Sequence, residues 1–344
     1  MEKLYKFSGK PFVELNKLQK EILKNLKNLI GKKLIYVKND CVCSKNQSVL
    51  ISETCRYGLE INYKLCKICG LIRQDPILDE ESLKIFYRDF YRELYTGSNS
   101  KENIEKIFKN QFQSGKKYYQ IITDILKKKD LQISNFKNVL EIGSSAGGIL
   151  AYFLNKGHEV HAMDYDDKYL NYAYESGIKN IYRNINQIDK KFDLIILAHT
   201  FEHFKDLKKN INLINNLLND KGLIFFDVPG IFNKDYYHVR NIIYDIKRTH
   251  FLYYLQNAHT YYFTKETFEY FLTKLGIFNI ISINEKINCL VQKTEKTEIA
   301  QLDNFKYKKI INFMKINSLR YKILCFFRLI FYPLIKLLNR LKTT

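Results

Sequence analysis

No apolar stretch in this 344-residue chain approaches the ~20 residues that a helix needs to cross a bilayer. Toward the C-terminus the longest, Leu329 to Ile335, is seven residues. A secretory leader is not expected either, because the opening "MEKLYKFSGKPFVELNKLQKEIL" is charged throughout. Internal repeats and low-complexity linkers are missing. Acidic residues are scarce beside basic ones, 36 against 56, which leaves a net charge of +20. From residue 301 onward ten Lys or Arg face a single acid, Asp303, so the tail alone carries +9. Such an excess suits nucleic acid, a membrane surface or an anionic substrate, while the abundance of Lys, Asn and Ile also fits a codon bias without functional meaning. A hydrophobic fraction of 46% with 27% charged residues is that of a globular protein. The length allows two or three domains of roughly 100–200 residues. Five of the seven cysteines fall between residues 41 and 69. Without a leader the expected compartment is the reducing cytoplasm, where clustered cysteines bind metal more often than they pair.

Residues 13–30, "VELNKLQKEILKNLKNLI", repeat apolar side chains at three- and four-residue steps and predict an amphipathic helix. Residues 79–130 have helical spacing. From about 137 to 293 strands and helices alternate, which predicts a mostly parallel sheet covered on both faces. The strand candidates are "NVLEIG", "EVHAMD", "NIYR", "FDLIILA", "GLIFFDVP", "FNIISIN" and "CLVQK".

The first strand runs into Gly143-Ser144-Ser145-Ala146-Gly147-Gly148 and then a helix. A phosphate loop requires a following Gly-Lys-Ser/Thr, which is absent. A dinucleotide fingerprint requires glycine two positions after Gly143, where Ser145 would crowd a pyrophosphate. The pattern is acid-x-Gly-x-x-x-Gly, starting at Glu141, and Asp164 ends the next strand. This resembles the first motif of class I S-adenosylmethionine-dependent methyltransferases. The resemblance implies that Glu141, Gly143, Ser144, Ser145 and Gly147 border the methionine part of the cofactor. It also implies that Asp164, with Tyr165 beside it, meets the ribose, that Asn184 and Ile185 lie near adenine, and that Ala198 closes the fourth strand at the cofactor. The alternative is that the glycines only permit close helix–strand packing.

The fourth strand leads into "AHTFEHFKD", which sets His199, Glu202 and His203 at the carboxyl edge of the sheet, where open α/β folds bind ligands. Three readings stand for them. One histidine removes a proton from the acceptor as the methyl arrives; the three residues hold a divalent ion; or the Glu-His pair packs the start of a helix. "LQNAHTYYFTKETFEYFLTKLGIFNI" resembles the segment before the last two strands in methyltransferases of sugar and polysaccharide pathways. That places His259 over the active-site mouth, as substrate contact, general base or loop-fixing residue. The preceding aromatic insertion, which holds His238 and His250, is long enough to cover a substrate.

"CVCSKNQSVLISETCRYGLEINYKLCKICG" contains Cys41-x-Cys43 and Cys66-x-x-Cys69-Gly. Four thiolates bind Zn²⁺ tetrahedrally, and no histidine nearby suggests an open catalytic ion. Plain reduced cysteines are the alternative, and Cys55 is spare. The continuation to Gly97 resembles the zinc-binding N-terminal module of bacterial polysaccharide and deoxysugar methyltransferases. The expected architecture is therefore an α/β, doubly wound, mostly parallel seven-stranded Rossmann-like sheet, with a small N-terminal zinc-binding module and a helical C-terminal tail. Its parts would be residues 1–78 (N-terminal helix and zinc module), 79–134 (helical connector), 135–294 (methyltransferase domain) and 295–344 (basic amphipathic tail). The resemblance implies methylation of a hydroxyl, or a carbon, on a nucleotide-activated sugar or surface glycan. A nucleic-acid methyltransferase gripping phosphates with its basic surface is one alternative, although no RNA- or DNA-binding motif is present. A non-catalytic binding protein on the same fold is another. The tail, "SLRYKILCFFRLIFYPLIKLLNRLKTT", interleaves bulky apolar residues with single cations, which suits peripheral contact with the inner face of the membrane, or packing on the domain or a partner.

Overall fold

The computed structural model describes residues 2–45, 47–98, 100–235, 237, 245–294 and 305–340. His238 and residues 341–344 lie outside the described residues, as do the side chains of 331–340.

Helix α1 (Lys17–Leu29) starts at a capping box: Asn16 accepts from the Gln19 N–H, and the Gln19 side chain accepts from the Asn16 N–H. Its Leu23 and Leu26 are buried. Strand β1 (Tyr36–Val37) is followed by β2 (Ser48–Thr54), β3 (Glu60–Cys66) and β4 (Ile72–Gln74), which pair antiparallel in sequence order. β5 (Ile77–Leu78) returns to β1. Helix α2 (Glu80–Phe86), a π-turn at Tyr87–Tyr91 and α3 (Arg92–Thr96) run on continuously until Gly97 ends them with φ +70°. Helix α4 (Ser100–Lys127) then leads to the main sheet.

The main sheet grows from β6 (Asn138–Ile142), α5 (Gly148–Leu154), β7 (Glu159–Met163), α6 (Asp167–Glu175), β8 (Asn180–Tyr182), β9 (Phe192–Ala198), α7 (Leu207–Asn216) and β10 (Leu218–Asp227). A short strand β11 (Tyr261–Tyr262), helix α8 (Lys265–Lys274), β12 (Phe278–Ile283) and β13 (Asn288–Lys293) complete it, and helix α9 (Phe305–Arg340) closes the chain. The seven expected strands are all present, in the order β12-β13-β10-β9-β6-β7-β8. Only β13 runs against its neighbours. The order reverses between β6 and β9, which opens a crevice at their carboxyl ends.

Period-two alternation explains both cores. Leu140, Ile195, Leu197, Ile224 and Phe226 face one side with α8, while Val139, Leu194, Ile196, Leu223 and Phe225 face the other with α4 and α5. Each such buried side chain contributes about 1.5–3 kcal/mol relative to exposure. Helix α4 approaches α5 closely because Gly115 has no side chain; a Cβ there would stand 2.7 Å from the Ile149 carbonyl oxygen.

The N-terminal module and the main domain are interleaved. β11 pairs with β4, so the small sheet takes its fourth strand from residues that follow β10 by more than thirty positions. Residues Phe251, Leu252 and Leu255 of the aromatic insertion share a core with Leu23, Tyr57, Tyr63 and Phe86. The described part of that insertion therefore packs on the module. The first half of α9 joins it: Ile310 and Met314 are buried, and Asn317 accepts from the Phe251 N–H at 2.7 Å while donating to the Thr249 carbonyl at 2.8 Å. Beyond that point Leu319, Ile323, Phe326, Phe327, Leu329 and Ile330 are exposed. Among the described residues no helix is long and apolar enough to cross a membrane.

Candidate active site at the carboxyl edge of the sheet

The glycine loop leaves β6 with Gly143 at φ +78° and Gly147 at φ +79°. Both glycines have packing duties. A Cβ on Gly143 would collide with the Thr200 hydroxyl, and one on Gly147 with Ile178 and Ala173 beside α6. Gly147 thus lets the loop pack against α6, while Gly143 lets the loop after β9 approach β6. Ser145 adopts φ +49°, and its N–H donates to Asp164 Oδ2 at 2.7 Å. Asp164 Oδ1 accepts from the Asp166 N–H at 3.0 Å, so the carboxylate is fixed by backbone at the end of β7.

Glu141 is 1% exposed and its Oε2 has no partner; burial, with Asp164 nearby, pushes its pKa well above the usual carboxylate range. The buried Ser144 hydroxyl is likewise unpartnered. An orphaned acid and hydroxyl beside a positive-φ loop fit a cofactor that brings its own ammonium and hydroxyl groups. Tyr165 is exposed, Asn184 caps the turn Ile185–Gln187 beyond β8, and Ile185 and Ala198 are partly buried against the two cores. The sequence reading missed Arg92. From α3 it donates to Ser145 Oγ at 2.9 Å and stacks on Tyr169 at 4.6 Å, so the N-terminal helices reach the glycine loop.

At the end of β9, His199 takes φ +52°, a left-handed conformation that is costly for a non-glycine residue and clusters at functional sites. Its Nδ1 lies 3.7 Å from Glu202 Oε1 and its Nε2 lies 3.6 Å from Asp227 Oδ2. Asp227, at the end of β10, accepts from the Tyr118 hydroxyl and from Asn288 Nδ2 at 2.9 Å. Its position after "GLIFF" at a strand's carboxyl end was the signal that sequence reasoning passed over. Partial desolvation by the surrounding residues would lower the His199 pKa, but Glu202 and Asp227 outweigh it and raise it to about 9.

Glu202 is 1% exposed, and neither carboxylate oxygen has a hydrogen-bond partner. Burial would raise its pKa, yet His199, His203 and His259 hold it down at about 2. His203 Nε2 is 3.8 Å and His259 Nε2 is 4.0 Å from Glu202 Oε1. His203 Nδ1 donates to the Ala258 carbonyl at 2.9 Å and touches the Tyr87 hydroxyl at 3.0 Å. Burial keeps His203 and, more strongly, His259 below the ordinary histidine pKa. The three residues with donor atoms within 4.8 Å of one another are Glu202, His203 and His259. That set differs from the expected ion-holding set: His259 joins Glu202 and His203, while His199 bridges Glu202 and Asp227 through its two ring nitrogens.

The four cysteines meet away from this edge. Sγ–Sγ distances are 3.4 Å for Cys41–Cys69, 3.5 Å for Cys41–Cys43 and 3.6 Å for Cys43–Cys66. A tetrahedral Zn–S₄ centre with bonds of about 2.3 Å spaces its sulfurs about 3.8 Å apart, so the cluster fits that ion after slight expansion. The Cys69 N–H lies 3.5 Å from Cys66 Sγ, as a knuckle requires. Cys55 is buried in the other core and takes no part. The Thr267 hydroxyl of α8 donates to the Cys69 carbonyl at 3.2 Å, tying the cluster to the main domain.

A doubly wound sheet with an acid and a glycine loop at its switch point, and an ionisable cluster at the same edge, is an open α/β fold with a ligand crevice there. Residues 99–282, more than half of the chain, match the methyltransferase-domain family, and the chain belongs to it as an S-adenosylmethionine-dependent methyltransferase. Similar solved structures include the plantazolicin methyltransferase BpumL in complex with a desmethylPZN analog and SAH. It has 15% identity and a TM-score of 0.41 over 57% of this chain and 78% of that one. An S-adenosylmethionine-dependent methyltransferase from Clostridium acetobutylicum has 17% identity and a TM-score of 0.36, over 51% and 92%. No curated protein matches the sequence.

Proposed function

We propose that the chain methylates a hydroxyl, or less readily a carbon, of a nucleotide-activated sugar or surface glycan. The observation that carries the reading is the unpartnered, buried Glu202 carboxylate with three histidines around it, across the crevice from the glycine loop. The sugar class draws support from the joint presence of a four-cysteine module and a methyltransferase domain, the combination the sequence resembles.

When bound, S-adenosylmethionine supplies an electrophilic methyl on sulfonium. The chain's part is to align the acceptor and take its proton. Glu141, Gly143, Ser144 and Ser145 border the methionine end, and Asp164 accepts from the ribose. Gly147 supports that loop by packing; Tyr165, Asn184, Ile185 and Ala198 line the adenosine side. Neutral His199 accepts the acceptor's proton, oriented by Glu202 and Asp227. His203 and His259, kept neutral by burial, pack beside Glu202 and keep its surroundings dry. Cys41, Cys43, Cys66 and Cys69 hold a structural Zn²⁺ that braces β3 and β4 against α8. The 79–134 helices carry Arg92 to the cofactor loop, and the exposed end of α9 rests on an anionic membrane at the cytoplasmic face.

Calorimetric titration with S-adenosylmethionine, beside Asp164→Ala, tests the core of this reading. Micromolar binding that is lost in the variant, followed by methyl transfer to a sugar nucleotide or glycan, is expected. Binding without transfer to any sugar acceptor removes the substrate class. For the tail, co-sedimentation with anionic vesicles should drop on truncation after Lys322, which spares the packed Ile310 and Met314; equal pelleting removes the membrane contact.

A further inference from the structure

The residues around Glu202 are held in part from the cysteine module. Strand β4 begins just after the Cys66-x-x-Cys69 knuckle, and its last residue, Gln74, is 5% exposed. The Gln74 side-chain nitrogen lies 2.8 Å from the His259 carbonyl, 3.0 Å from that of Asn257 and 3.2 Å from that of Gln256. Carbonyl oxygens only accept, so three of them around one end of the amide fix which end carries the N–H donors. The Gln74 backbone N–H adds a bond to the Thr260 carbonyl at 2.9 Å. The Gln256 carbonyl also accepts from the Tyr63 and Tyr262 hydroxyls, at 2.9 and 3.2 Å. For the Asn257 and His259 carbonyls, Gln74 is the donor that the described residues provide.

The segment so held meets the active-site cluster at three successive residues. The Ala258 carbonyl accepts from His203 Nδ1 at 2.9 Å, which leaves the Nε2 lone pair of neutral His203 on the side of Glu202, 3.8 Å from Oε1. The His259 ring meets the His203 ring edge-on at 4.8 Å, and its Nε2 is 4.0 Å from the same oxygen. The Thr260 N–H donates to the main-chain carbonyl of Glu202 at 2.9 Å. Gln74 and His259 lie 185 positions apart in the chain, so only the fold joins them.

We propose that Gln74 is a positioning residue of the methyl-transfer site. Through its side-chain amide the cysteine module fixes residues 256–260, and through them the tautomer of His203 and the seat of His259 beside Glu202. The proposal rests on the reading of the Glu202 cluster as the place of proton removal, and it gives the module a task at the reaction centre besides bracing the fold. An apolar side chain of the same length would fill the space of Gln74 but leave the Asn257 and His259 carbonyls without a donor. The segment would then turn those carbonyls toward water, drawing the Ala258 carbonyl away from His203 and opening Glu202 to solvent.

Two signals in the full chain test this without a methyl acceptor. One is the ¹⁵N shifts of the His203 ring at about pH 8, assigned with His203→Gln, where burial keeps the ring neutral. The other is the deuterium exchange rate of the His259 ring Cε1 proton, followed by mass spectrometry. Wild type is compared with Gln74→Met and Tyr63→Phe, and titration with S-adenosylhomocysteine reports on the cofactor site. Wild-type His203 should be a single Nδ1–H tautomer, with slow exchange at His259. In Gln74→Met the tautomers should mix and the exchange should quicken about tenfold or more, with S-adenosylhomocysteine affinity unchanged. Tyr63→Phe, whose lost bond the Tyr262 hydroxyl backs up, should keep both wild-type signals. Mixed tautomers in wild-type His203 would overturn the proposal before any variant is made. So would Gln74→Met protein that binds S-adenosylhomocysteine and keeps both wild-type signals. Equal changes in Tyr63→Phe and Gln74→Met would reduce the effect to general loosening of the module and overturn it too. Failure of wild type to bind S-adenosylhomocysteine counts against the methyltransferase reading alone, because both ring signals are recorded without cofactor.

Discussion

Replacing Glu202 by Gln removes one charge from the cluster with little change of shape, and its consequence falls on His199. Glu202 lies 3.7 Å from one imidazole nitrogen and Asp227 lies 3.6 Å from the other. Partial desolvation by the surrounding residues pulls the His199 pKa down, but the two carboxylates hold it at about 9. With that value about 3% of the imidazole is neutral at pH 7.5, against about 90% for an ordinary histidine near 6.5. His199 is 55% exposed, so water screens part of the coupling, and a fall of about one unit or more is the expected effect of the substitution. Imidazole carbon–proton NMR from pH 5 to 10, assigned with His199→Gln, measures it directly. The rate should follow. If neutral His199 takes the proton, kcat/KM in the wild type climbs with pH toward about 9, and in Glu202→Gln the rise moves to lower pH. A wild-type His199 that titrates near 6.5, or one unmoved by Glu202→Gln, would refute the electrostatic argument.

Gly143→Ala should destabilise the fold by about 1–3 kcal/mol, because φ is +78° and the new methyl meets the Thr200 hydroxyl; urea denaturation measures it. Cys66→Ser should lower bound zinc from one ion per chain and reduce the melting temperature, and unchanged metal content on elemental analysis would remove the zinc centre. Stability should fall on acidification below pH 6.5. Buried His259 has a pKa well below its unfolded value, so the unfolded chain binds the extra proton; Glu202, depressed to about 2, adds a further loss between about pH 4.5 and 2. Thermal melts at stepped pH should show this, with a shallower drop near pH 6 in His259→Gln.

The main sheet was legible because its strands are short apolar runs with alternating faces, such as "DLIILA" and "GLIFFD", and because an acid and glycines mark the first crossover. Glu141, Asp164, His199 and Glu202 all lie within a few residues of strand ends, where local pattern predicts position. Arg92, Tyr87 and Tyr118 lie on helices whose spacing shows a face but not what the face meets. Asp227 was passed over for a different reason: unlike Glu141 and Asp164 it has no glycine motif beside it, and its role shows only where the neighbouring strand sets His199 3.6 Å away.

The chain's own order of residues determined the element types, the cofactor loop and the grouping of four cysteines, since each depends on neighbours in sequence and on backbone geometry. The tertiary structure decided which histidines face Glu202, sent β11 into the sheet of the N-terminal module, and hung the His259 segment from Gln74. These pairings join residues up to about two hundred positions apart. They arise from how two cores share their surfaces, which no periodicity records: a side chain's partner is set by packing and by the cost of burying charge, not by spacing along the chain.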